Sequence, residues 1–169
     1  MTITRDHPWV GEPKEHPVVV GIEAGQDPHV LDRAREFAER LETGVLCVWV
    51  DPGHLVVSAE MAGSVATVPV DPDDADEDPT EVEGALIEFV QQHLQGREVS
   101  WRFVYTAGEV ARGLGRVARE YQAPMIVVGS RRPGFAGWMN ELIGGSVGGH
   151  LAHTQDTPVL VVPLSGRRG

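Results

Sequence analysis

Two glycine-rich stretches hold the residue types and spacings best suited to chemistry, Gly129-Ser-Arg-Arg-Pro-Gly134 and Gly144-Gly-Ser-Val-Gly-Gly149. Glycine lets a backbone approach a phosphate closely, and the first N–H groups of a following helix point outward as anion donors. Ser146 adds a hydroxyl donor, and Arg131 or Arg132 supplies positive charge. The pattern suits holding a phosphorylated small molecule. Glycines at both ends of a strand–helix unit also serve simply to permit tight packing, and that reading stands beside the first.

Other constellations give less. Gly129 and Gly134 have P-loop spacing, but Phe135-Ala136 follows where Lys-Ser/Thr is required. His150 and His153 are placed to share a metal on one helix, yet the sequence offers no third ligand, and exposure to solvent is expected. Ser146 has neither a GxSxG elbow nor a placed acid, so no nucleophile, and no catalytic residue, is assigned. The acidic run Asp71, Asp73, Asp74, Asp76, Glu77 and Asp78 is a partner patch, a cation trap or a solvated stretch; no EF-hand loop is completed there. Trp138, Met139 and Leu142 form an apolar stretch suited to a lid, a partner surface or local packing.

The elements that must position these residues come from a chain of 169 residues, enough for one domain with its own core. A net charge of −11 opposes nucleic-acid binding, which needs a basic face. One cysteine, Cys47, within an apolar run, excludes an internal disulfide and a cysteine-based zinc cluster. No apolar run approaches the length of a membrane span, and the first residues carry no export signal, so the expectation is a cytoplasmic protein.

Residues 1–16 lack periodicity and read as a flexible arm, residues 17–163 as the domain, and 164–169 as a tail. Pro17–Glu23, Val45–Val50, Val99–Tyr105, Pro124–Gly129 and Pro158–Pro163 read as strands, mostly apolar throughout and so buried on both faces. Helices are expected after Asp27-Pro28, with Leu31, Ala34, Phe37, Ala38 and Leu41 at helical spacing and Gly44 closing; from Thr80 to Gly96; from Glu109 to Tyr121; and from Gly145 or Ser146 to Thr154. Residues 51–80 do not fit the alternation and read as a long loop. The pattern predicts an α/β fold: a doubly wound five-stranded parallel sheet, order 3-2-1-4-5, with helices on both faces and the ligand site beyond the carboxyl ends of the strands.

Val127-Val-Gly-Ser130, Gly145-Ser-Val147 and Pro158-Val-Leu-Val-Val162, taken in order, resemble the C-terminal signature of the universal stress protein family. Gly108-Glu-Val, Val20-Gly21-Ile22-Glu23 and Val48-Trp-Val-Asp-Pro52 resemble its other strand ends, so the likeness covers roughly residues 17–163. Nucleotide-binding members carry Gly-x2-Gly-x9-Gly-Ser/Thr around the ribose and phosphates of ATP. The resemblance implies that Gly129, Ser130, Gly145, Ser146 and Val147 line such a site, with Gly21 and Glu23 near the adenosine and Trp49 facing adenine through its backbone. Arg132 stands where the pattern has its second Gly, Glu23 stands for the family's Asp, and the loop is three residues longer than the pattern. The function implied is a stress-response regulator that binds ATP or AMP. The alternatives are a dimeric interaction protein with an empty site and a weak nucleotide hydrolase. A homodimer through Val159, Leu160, Val161 and Val162 is implied too, since an apolar strand at the sheet edge invites pairing.

Overall fold

The computed structural model describes residues 4–59, 65–71, 78–130 and 147–163. In chain order these form β1 (Arg5–Asp6), β2 (Val18–Gly21), α1 (Pro28–Arg40), β3 (Val45–Asp51), β4 (His54–Ala59), β5 (Val65–Pro69), α2 (Pro79–Leu94), β6 (Trp101–Ala107), α3 (Val110–Glu120), β7 (Ile126–Gly129), α4 (Val147–Thr154) and β8 (Val159–Val162). The main sheet runs β1-β6-β3-β2-β7-β8. Five of its strands are parallel neighbours, and β1 lies antiparallel on β6.

Burial on both faces explains the uniformly apolar strands. Val18, Val20, Cys47, Trp49, Phe103 and Tyr105 point to one side, where α1 and α2 pack. Val19, Leu46, Val48, Val50, Val104 and Val128 point to the other, against α3 and α4. The fold is therefore α/β with a mostly parallel central sheet between two helical layers. Cys47 is completely buried in the first layer, and loss of hydration pushes its thiol pKa far up.

Four expectations need correction. The sheet has six strands rather than five, because the segment expected to be a flexible arm supplies β1, pairing Arg5 with Tyr105 and Asp6 with Val104. Its charged residues conceal the strand: Arg5 and His7 reach Glu83 on one side, while Asp6 accepts from the Tyr121 hydroxyl on the other. Residues 51–80 are not simply a loop, since β4 and β5 form an antiparallel hairpin pairing Leu55 with Val68. The third parallel strand starts at Trp101, not Val99, and continues to Ala107. Finally, Gly44 does not close α1.

The close of α1 lies upstream of Gly44. Glu42 N–H donates to Glu39 O at 3.1 Å and Thr43 N–H to Ala38 O at 2.9 Å, with Glu42 in the left-handed region at φ 55°. Helix α3 ends the same way: Gln122 sits at φ 50° and Ala123 N–H donates to Ala118 O at 2.8 Å. This is the Schellman arrangement, in which glycine usually holds the left-handed position. Gly44 is needed for another reason. A Cβ there would meet Ser100 O at 2.8 Å and Trp9 Cζ3 at 2.9 Å. Glu42 is exposed, so Glu42→Gly relieves left-handed strain without removing a buried contact. Against glycine's greater unfolded-state entropy, the expected net gain is about 0.5–1 kcal/mol. Urea denaturation checks it, and an unchanged or lower midpoint would contradict it.

Both long helices after a proline start alike. Asp27 accepts from His29 N–H and Asp78 from Thr80 N–H, each at 2.9 Å, with Pro28 and Pro79 in the first turn. The Thr80 backbone bond holds the Asp78 carboxyl below the usual carboxylate range. One residue of the acidic run is thus a helix cap. Asp73, Asp74, Asp76 and Glu77 lie outside the described residues.

Candidate functional site

A crevice forms where neighbouring parallel strands send their connections in opposite directions. From β2 the chain crosses through α1 to β3 on one side; from β7 it crosses through α4 to β8 on the other. Strands β2 and β7 are themselves adjacent, with Val19 opposite Ile126 and Val20 opposite Val127. Continuing that register brings Glu23 level with Ser130 at the carboxyl ends.

Gly21 ends β2, buried, and a Cβ there would make only ordinary contact with Leu114 at 3.4 Å. Packing alone therefore does not require glycine at this position. Glu23 follows, half-buried, and burial pushes its carboxyl up to about 7. Gly129 ends β7, and Ser130 N–H donates to Val162 O at 2.8 Å, tying the strand exit to β8. Val147 opens α4 and is buried. The fold thus gathers Gly21, Glu23, Gly129 and Ser130 at one end of the sheet. Arg132, Gly145 and Ser146, with Trp138, Met139 and Leu142, lie outside the described residues.

Trp49 is placed differently. Its side chain is buried among the α1 and α2 packing, with its ring 5.2 Å from that of Tyr105. Val48 O accepts from Ile22 N–H at 2.8 Å, so Val48 turns its backbone toward β2. In a parallel strand successive residues turn their N–H and C=O groups to opposite neighbours. Trp49 accordingly presents its backbone to β6, and Val50 presents its own toward the β2 side, beyond the point where β2 ends at Gly21.

Two further residues escaped the sequence reading. Gln26 Nε2 donates to Gly21 O at 2.8 Å, while its Oε1 is buried without a donor among the described residues. A buried acceptor in that state is costly unless a partner satisfies it. Nothing in the residue's type or spacing signals this. The second is Asp51, whose oxygens accept from Gly53 N–H at 2.9 Å and from the Tyr105 hydroxyl at 3.4 Å. Its backbone carbonyl accepts from Gly108 N–H at 2.9 Å, locking the carboxyl ends of β3 and β6 together. His54 Nδ1 lies 2.8 Å from Asp51 Oδ2. Among the described residues no three His, Cys, Asp or Glu side chains converge as a metal site. Nor, among them, is any helix long and apolar enough to cross a membrane.

Comparison with known proteins agrees with this architecture. A profile described as "Universal stress protein family" matches residues 15–163. Among solved structures, a universal stress protein from Archaeoglobus fulgidus is 21% identical, with 86% of this chain and 96% of that chain covered and a TM-score of 0.60. Another from Archaeoglobus fulgidus, solved in complex with dAMP, is 19% identical over 86% of this chain and 95% of that one, with a TM-score of 0.53. A family protein from Arabidopsis thaliana with AMP bound is 16% identical over 90% and 95%, with a TM-score of 0.50. At these identities the likeness to the solved structures is one of fold. No curated protein sequence matches the chain.

Proposed function

Since the chain belongs to the universal stress protein family, we propose that it is a stress-response regulator that binds an adenine nucleotide, ATP or AMP, without turning it over. The supporting observation is the crevice at β2 and β7, where Gly129 and Ser130 leave one strand and Gly21 and Glu23 leave its neighbour. In this reading Gly129, Ser130, Gly145, Ser146 and Val147 hold ribose and phosphates, and Arg132 neutralises phosphate charge. Glu23 faces the adenosine. Val50 takes over the backbone role that the family likeness gave to Trp49. Structures of relatives with dAMP and with AMP bound support this choice of ligand class. Residues 17–163, with β1 added at the edge of their sheet, act as the unit, in the cytoplasm, with 164–169 as a tail.

We also infer that the protein is a homodimer paired through β8. Segment 5–10 covers the β6 edge, and among the described residues nothing pairs with the far side of β8, where Val161 is 42% exposed. A dimer that uses this surface for partners, with its crevice empty, is the second reading.

Calorimetric titration with ATP, ADP and AMP separates the two. Saturable binding of at least one nucleotide, competed by another, is the expected result. No heat at millimolar ligand would remove the nucleotide reading and leave the dimer one.

A further inference from the structure

Glu83 occupies the inward stripe of α2 beside Leu86, Val90 and Leu94, and only 3% of it is exposed. A buried carboxylate needs partners, and both recorded here come from residues 5–7. Arg5 pairs with it through Nε and Nη2, and His7 Nε2 lies 2.6 Å from Oε1. Arg5 also lies over the Tyr105 ring, its guanidinium carbon 4.7 Å from the centroid. On the opposite side Asp6 accepts from the Tyr121 hydroxyl and sits 3.6 Å from Arg102 Nη2, while Arg102 Nε donates to His7 O at 2.6 Å. β1 contributes two ladder residues and no apolar side chain. Its side chains attach through charged groups on both sides, and beside the backbone bonds to β6, which include His7 N–H to Phe103 O at 2.9 Å, these are what hold it.

We propose that β1 is a plug that keeps a second copy of this chain from adding a strand to the β6 edge, and that buried Glu83 is the lock that holds the plug. Without it β6 would present an edge whose Trp101, Phe103, Val104 and Tyr105 are all buried core residues, and an apolar edge of that kind templates association. The other edge, β8, has no strand on its far side among the described residues. A β6 edge meeting the β8 edge of the next copy is a head-to-tail contact, and such contacts build rings or open filaments rather than stopping at a dimer. With β6 plugged, β8 is the one edge of the main sheet left uncovered among the described residues, and association through that sheet stops at two copies. The lock explains why an inward position of α2 carries a carboxylate where its neighbours are apolar.

The test uses the full-length chain with Arg5→Glu, which sets a second carboxylate against Glu83, and the exchanged pair Arg5→Glu with Glu83→Arg. Amide hydrogen exchange and sedimentation at several concentrations are the readouts. In Arg5→Glu, exchange at Tyr105, the ladder partner of Arg5, should accelerate at least about tenfold while Val20 in the sheet centre stays protected. Sedimentation should then show a series of masses growing with concentration. The exchanged pair should restore slow exchange and a single mass, and adding Val161→Asp to Arg5→Glu should abolish the series by blocking the β8 edge. Fast exchange at Tyr105 with an unchanged mass distribution would overturn the plug, and unchanged exchange would overturn the lock. Should Arg5→Glu fail to fold, Arg5→Gln with His7→Gln carries the same test with a smaller perturbation.

Discussion

Val161→Asp is expected to leave the monomer folded and to weaken self-association by at least ~100-fold, because a charge near a two-fold axis meets its own copy and like charges there cost several kcal/mol. Val161 is the position to change because it is exposed, so the substitution buries no charge in the free chain. Leu160 is a poorer choice. It packs partly buried against the cluster shared with α1, and a charge there would destabilise the fold and blur the readout. Val162 is buried altogether. Sedimentation equilibrium at micromolar concentration checks the expectation, with a urea melt confirming that the variant is folded. A monomer mass for the unmodified protein under those conditions would end the dimer reading, and so would a variant of unchanged mass.

Glu23→Gln should stabilise the protein above neutral pH and do little in mild acid. Burial pushes the Glu23 carboxyl up to about 7, whereas the unfolded chain titrates it near the ordinary glutamate value of about 4.3. Between those two values the folded state binds the proton that the unfolded state has released, so stability falls as pH rises through the window. The cost is absent below the unfolded value and fully present above about 7. Glu23 is only half-buried, so after allowing for solvent screening the effect is roughly 1–2 kcal/mol. Glutamine keeps the shape and the hydrogen-bonding capacity of the protonated acid without the charge. Urea midpoints for the two proteins should therefore agree at about pH 4 and separate at about pH 8, with Glu23→Gln the more stable. Equal midpoints near pH 8 would mean that the carboxylate is already well solvated.

What the sequence disclosed follows physical lines. Strands buried on both faces are apolar almost throughout, so β2, β3 and β7 are legible without knowing their neighbours, and β8 is as apolar although Val161 is exposed. β1 is not, because its partners are Glu83, Arg102 and Tyr121, side chains distant in the chain that turn an apparently solvated segment into a paired one. The β4–β5 hairpin escaped for a related reason: it forms a separate two-stranded sheet whose Leu55 and Val68 remain exposed, so the burial that marks a strand is missing. The end of α1 escaped because Glu42 occupies a conformation usually given to glycine, whereas α3, which ends the same way at Gln122, was legible to within a residue. In the crevice, residue types pointed to Gly129 and Ser130, and the family resemblance to Glu23, all at strand ends. Whether Trp49 or Val50 faces the crevice depends on strand parity, and parity follows from a hydrogen bond between Ile22 and Val48 that no spacing encodes.

Complete burial of the chain's one cysteine makes the thiol a reporter. Only a thiolate reacts readily with alkylating or oxidising reagents, and Cys47 is both shielded from them and held protonated by its surroundings. A sensor of oxidants needs the opposite properties, so stress cannot be registered directly at this sulfur while the sheet is intact. Cys47 lies on a central strand, flanked by Val20 and Phe103 in the register. Exposing it requires parting the middle of the sheet, so the slow labelling of one atom counts the rare openings of the whole domain.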